Sequence, residues 1–182
     1  IVGVNVSVDS EAEEIRNGIS ILTDAVIYKL VENLHKLRED KRKEIEKRRL
    51  LGLSPLCKLR ILKQHVFRNT NPAIFGVKVE AGKLIPRLHM IDESGEKIGK
   101  VKNMQSENKA VEEASEPQEL AISVPGINFE RKLGDKNFLY SDIAESQFRN
   151  FKKNKDLLSG KELQILQEIA EIKRKTKADW GK

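Results

Sequence analysis

The chain has 182 residues, 38% hydrophobic and 34% charged, with 34 Lys and Arg against 28 Asp and Glu for a net charge of +6. That is enough chain for one large or two small folded units with a modest core, and the positive balance permits an anionic partner without demanding one. A single cysteine, Cys57, excludes an intrachain disulfide, no apolar run approaches the roughly 18 residues a membrane span needs, and no signal-peptide pattern is visible.

Ile1 to Val8 (IVGVNVSV) alternates and is rich in β-branched residues, which predicts a strand. It starts within a strand-like run, as expected of a piece of a longer protein. Asp9 or Ser10 can cap a short helix, EAEEIRN, that Gly18 would end. Ile19 to Leu22 reads as a second strand. The order strand–helix–strand–helix is that of an α/β unit.

Thr23 to Leu51 reads as one long helix, with Thr23 as its cap. Ile27, Leu30, Val31, Leu34 and Leu37 recur at helical spacing and give its first half a face to bury. Arg38 to Arg49 is almost wholly charged, and Glu32/Lys36, Glu39/Lys43 and Glu44/Arg48 are spaced for ion pairs one turn apart. A helix packed at one end and solvated along the rest is a strut between folded parts. A surface helix of one compact domain is the alternative.

After Gly52 the period changes to two. Leu56 to Leu62 alternates, with Cys57, Leu59 and Ile61 on one side and Lys58 and Arg60 on the other. Val66-Phe67, Ile74 to Val79, Leu84 to Ile91, Lys97 to Met104 and Leu120 to Val124 extend the series, with turn signals between them. Short strands at this spacing predict a small antiparallel barrel. Glu107 to Gln118 is expected as a polar loop across it. From Ser141 the chain turns helical: Ile143, Phe148 and Phe151 form one stripe, and Ser159 with Glu162 has capping-box spacing ahead of Leu163, Leu166, Ile169 and Ala170. The closing KRKTKADWGK is expected to fray, with Trp180 either a late packing anchor or unstructured.

Several chemistries are missing from the sequence. There is no GxxxxGK[ST] phosphate loop. Asn154-Lys155-Asp156 lacks the intervening residue of a guanine-reading NKxD. His35, His65 and His89 share no metal-ligand spacing, so no metal site is expected, and no Gly-flanked serine suggests a nucleophile elbow. An active site within these residues is not expected.

GISILTDAVIYKLVE, then LRILKQHVFRNTNPAIFGVKVEAGKL, then GDKNFLYSDI resemble the C-terminal part of translation initiation factor five-B, the archaeal and eukaryotic relative of bacterial initiation factor two. The resemblance covers essentially the whole chain. It implies a mixed α and β chain: residues 1–22 close an α/β/α domain, 23–51 form a long connecting helix, 52–140 an elongation-factor-type antiparallel β-barrel, and 141–182 two C-terminal helices packed with it. It also implies a monomeric cytoplasmic factor that promotes ribosomal subunit joining, whose GTP and Mg are held by a GTPase domain outside these residues.

The family's barrel docks on the acceptor end of initiator methionyl-tRNA. By resemblance His65, Arg68, Lys78, Arg87, His89, Lys100, Lys102, Arg131 and Lys132 are the candidate cationic rim. Val77, Gln105, Gln118 and Glu119 are the candidate recess for an unformylated aminoacyl group. The family's terminal helices take the tail of initiation factor one-A, which makes Phe148, Phe151, Leu163, Leu166 and Ile169 the candidate seat. A general basic RNA-binding barrel without aminoacyl preference is the alternative. The chain departs from the family at Leu84-Ile85-Pro86-Arg87-Leu88, which lacks the hairpin's usual glycine, at Glu116-Pro117, and at Phe129-Glu130-Arg131-Lys132, which lacks a Gly-Arg pair.

Overall fold

The computed structural model describes residues 1–7, 19–50 and 52–181. The chain divides into two compact units, Ile1–Leu51 and Gly52–Lys182. The short helix expected from Glu11 lies outside the described residues.

In the first unit, β1 (Val2–Val4) pairs in parallel with β2 (Leu22–Asp24), Val2 opposite Leu22. The second strand therefore lies further along than expected, and Thr23 belongs to it. Helix α1 (Ile27–Leu50) follows, and the Asp24 carboxylate accepts from the Val26 amide at 2.9 Å just ahead of it. At about 1.5 Å per residue α1 is roughly 36 Å long. Leu30 is buried and Leu34 and Leu37 half-buried, while Ile27 and Val31, expected on the same face, are exposed. A three-residue pair of strands covers one narrow stripe of a helix, not a broad face. The charged half is held by its own ion pairs, Lys41–Glu44 and Arg42–Glu46 at 3.1 Å and Arg48–Glu44 at 3.6 Å. Such exposed pairs are screened by water and each adds little to stability. Gly52 follows at φ +85°, a conformation that other residues resist.

The second unit is built on a curled antiparallel sheet. Its strands are β3 (Cys57–Arg68), β4 (Ala73–Leu84), β5 (His89–Asp92), β6 (Lys97–Lys100), β7 (Asn103–Ser106), β8 (Lys109–Ala110), β9 (Ala114–Ser115), β10 (Glu119–Val124) and β11 (Phe138–Ser141). The spatial order is β6-β5-β11-β3-β4-β10-β7-β8, with β9 on the far end of β4. β6 and β7, far apart in that order, are joined in the chain by only Val101 and Lys102, and Lys102 donates to the Ser123 carbonyl of β10 at 2.7 Å. The sheet therefore curls back on itself. The expected polar loop is in part structured, since β8 and β9 both fall within it. The expected Val66-Phe67 strand is the far end of the twelve-residue β3.

The alternation in β3 holds as read: Cys57, Leu59 and Ile61 are buried. They join Phe75, Val77 and Val79 of β4 and Leu120, Ile122 and Val124 of β10 in one interior cluster. Phe75, wholly buried, stacks obliquely on Phe129 at 4.9 Å and contributes about 1.5–3 kcal/mol by burial alone. Phe129 opens a short helix, α2 (Phe129–Leu133), capped by the Asn128 side chain, which the sequence reading does not contain.

A second cluster forms where two helices cover the outer face of the sheet: α3 (Glu145–Lys153) and α4 (Gly160–Thr176), with one 3₁₀ turn (Lys155–Leu157) between them. This cover explains β5, whose Met90 faces the interior cluster while its neighbour Ile91 faces the helices. The capping box is present as read, Ser159 accepting from the Glu162 amide and the Glu162 carboxylate from the Ser159 amide. α4 is pinned to the sheet by Lys58, whose ammonium sits 2.7 Å from Glu168 and 4.8 Å above the Phe138 ring. Burial raises the cost of ionising Glu168, but Lys58 and Tyr140 outweigh it and hold the carboxyl below its ordinary range. The C-terminal segment does not fray: Trp180 is 7% exposed and lies 4.6 Å from Phe148, the packing-anchor alternative.

Candidate binding surfaces

Two of the openings in the second unit carry residues expected at the binding sites. The first, of about 460 Å³, lies on the outer side of β3, β4, β7 and β10. Gly76 makes its floor, where a bare backbone is needed because a Cβ would stand 2.9 Å from His65 Cβ and 3.5 Å from Leu62 Cβ. Leu62, Phe67 and Ile74 give it apolar walls, and Gln105, Glu107, Asn108 and Glu119 its polar lip. Glu107 and Asn108 take φ of +50° and +62°, forming the two-residue turn that joins β7 to β8 and raising the lip. Phe67 is 67% exposed. An exposed aromatic over an apolar floor suits a base or a small apolar side chain, and carboxylates at the lip suit an ammonium.

Of the four residues expected in the recess, Gln105 and Glu119 line it. Val77 does not: it is wholly buried in the interior cluster, because β4 alternates and odd positions there point inward. Gln118 does not either, since its side-chain carbonyl accepts from the Ser115 amide in the turn before β10. Leu62, Phe67, Ile74 and Glu107 join the recess without any sequence signal that marks them for it.

The expected cations fall into separate groups. His65 lines the recess, Arg68 is exposed near it on β3, and Lys78 stands 4.0 Å from Glu119. Arg87, His89, Lys100 and Lys102 are exposed along the β5–β6 edge, His89 directly opposite Lys100. Arg87 takes φ +67°, a left-handed conformation that favours glycine. Arg131 and Lys132 sit on α2, and Lys132 is committed to Glu96 at 2.8 Å.

The second opening, of about 510 Å³, runs between α3 and α4. Phe148, Leu163 and Leu166 form its apolar bed. Phe151 and Ile169, expected with them, are buried on the sheet side and do not reach it. Lys152, Lys155 and Arg174 surround the bed against one carboxylate, Glu171, a net positive rim the sequence reading did not assign. The basic run at the end of α4 carried that signal, but only the helix pairing shows which of its residues border the groove. Among the described residues, no group of three His, Cys, Asp or Glu could hold a metal ion, and no helix is long and apolar enough to cross a membrane.

Residues 55–140 match the family described as Elongation factor Tu domain 4. Over 177 residues the chain is 34% identical to a probable translation initiation factor IF-2 of Methanoculleus marisnigri, covering 97% of this chain and 30% of that protein. This chain is a homologue of the archaeal initiation factors. A namesake from Hyperthermus butylicus is 37% identical over 184 residues, covering 96% of this chain and 29% of its own length. The crystal structure of GDP-bound aIF5B from Aeropyrum pernix is 34% identical with a TM-score of 0.70, over 97% of this chain and 30% of that one. The chain thus spans about 30% of the length of the archaeal factors it matches. The mixed fold, with its curled antiparallel sheet followed by helices, is that of the matching part of aIF5B.

Proposed function

We propose that the chain is the C-terminal part of a cytoplasmic translation initiation factor that promotes ribosomal subunit joining. In this reading it carries no catalysis of its own, and GTP and Mg bind elsewhere in the whole protein. Residues 1–22 close an α/β/α domain, 23–51 connect it to the barrel of 52–140, and 141–182 bring the partner-binding helices. The long helix then works as a lever whose requirement is stiffness.

The barrel's recess receives the methionyl end of initiator tRNA. The observation that carries this is its lip: Glu119 and Gln105 border an apolar bed, so a free α-ammonium finds a carboxylate while the methionine side chain finds Leu62 and Ile74. Formylation would remove that charge. His65, Arg68 and Lys78 lie in or beside the recess for the acceptor phosphates. The groove between α3 and α4 receives the tail of initiation factor one-A, with Lys152, Lys155 and Arg174 matched to acidic residues of the tail.

A competition experiment tests the reading. Excess chain added to an archaeal subunit-joining reaction with the full-length factor should slow joining in proportion to its concentration. Joining that is indifferent to a large excess contradicts the proposal.

A further inference from the structure

We infer that the C-terminal Trp180–Gly181 turn is a positioning element of the groove between α3 and α4, and that it sets the groove's affinity for an acidic peptide. The inference rests on the reading of that groove as a peptide seat and goes beyond it. Neither Trp180 nor Gly181 lines the groove. Three residues that do line it are held from behind by this turn.

Phe148, the aromatic wall, stacks on Trp180 at 4.6 Å with the rings inclined by 49°. Gly181 is pressed against the same ring: a Cβ at that position would stand 2.5 Å from Phe148 Cε1, and its φ of +75° also favours glycine. Two of the three groove cations donate to the turn's carbonyls. Arg174 Nε reaches the Trp180 oxygen at 3.1 Å, and Lys152 Nζ the Gly181 oxygen at 3.3 Å. The turn is itself closed by the Trp180 amide donating to the Lys177 carbonyl at 2.9 Å.

Arg and Lys side chains lose much rotamer freedom when a ligand fixes them. Here that ordering is done on folding, so the peptide meets a wall and two cations already in place. Releasing the turn leaves every groove residue in the sequence and every apolar atom of the bed, but removes the arrangement.

The test uses the full chain with Trp180→Phe, Trp180→Ala and Gly181→Ala. The probe is a fluorescein-labelled C-terminal tail peptide of an archaeal initiation factor one-A, read by anisotropy, with each variant's fold checked by circular dichroism. Trp180→Ala and Gly181→Ala should each weaken binding by about tenfold, while Trp180→Phe, which keeps an aromatic on Phe148, should stay within about twofold of the parent. Trp180 is the only tryptophan of the chain, so unlabelled peptide should also shift the parent's emission. If Trp180→Ala fails to fold, Gly181→Ala, which removes no core side chain, decides. Equal binding by parent and a folded Gly181→Ala overturns the positioning role and leaves the groove reading intact. No binding by the parent overturns both.

Discussion

The two openings are nearly equal in size and opposite in construction. The recess is made by a sheet: its walls are side chains on β3, β4, β7 and β10, tied by ladder hydrogen bonds, and its floor is the bare backbone of Gly76. Its lip carries carboxylates. The groove is made by two helices that touch the sheet on their other side; its rim carries cations, and two of these are fixed by a C-terminal turn. A sheet surface keeps its shape through backbone bonding, whereas a groove between helices keeps its shape only through what anchors the helices. One surface is therefore expected to be held by its ladder and selective for an ammonium beside an apolar group, the other held by its anchors and selective for acid.

The largest effect should separate the two. Replacing Lys155 and Leu163 together with glutamate puts two carboxylates at the groove, and should weaken the one-A tail by about 100-fold while leaving charged tRNA binding unchanged. Calorimetry with each ligand checks both halves. Loss of both activities would mean the openings are not independent.

Next, Gly76→Val fills the floor of the recess, because even a Cβ there stands 2.9 Å from His65 Cβ. Preference for methionylated over deacylated tRNA should fall by about tenfold, with the tail peptide unaffected. A smaller change comes from Glu119→Gln. An exposed carboxylate contributes little, so discrimination between methionyl and formylmethionyl ends should drop by about threefold, as filter binding would show.

pH sharpens the comparison from the side of stability. Glu168 is held below its ordinary value of 4.5 in the folded chain. The unfolded chain therefore takes up this proton first as pH falls. The stabilisation is complete above that value and is lost as pH drops through the lower, folded one. Lys58–Glu168 pins α4, so the groove should loosen in acid before the recess does. Hydrogen exchange at pH 3.5 against pH 6 should show α4 amides opening ahead of β3 and β4. Lys58→Met should abolish the difference between the two pH values.

How far the sequence carried depended on the kind of signal. The capping box at Ser159 and Glu162 and the alternation of Cys57, Leu59 and Ile61 are local rules, and both appear as read. The recess was harder. Counting in twos from Cys57 gives Phe67 the same parity as Ile61 and would put it inside. The register of β3 on β4 slips between Leu62 and Val66, so Val66 packs on the core and Phe67 points out. A bulge leaves no residue signature in that stretch. Val77 was misplaced for the converse reason, since a resemblance in sequence does not say which face of β4 a residue takes. The closing segment looks polar enough to fray, but the pairing of Trp180 with Phe148, thirty-two positions earlier, and the bonds from Arg174 and Lys152 to its carbonyls hold it down.

The most direct measurement is binding of the chain to initiator tRNA, methionylated against deacylated, at low and at moderate salt. A preference for the methionylated form that persists as salt rises is the predicted result, because the recess reads an ammonium and an apolar side chain at short range. Binding that is blind to methionine and disappears with salt would show only a basic surface releasing counterions, and would contradict the account.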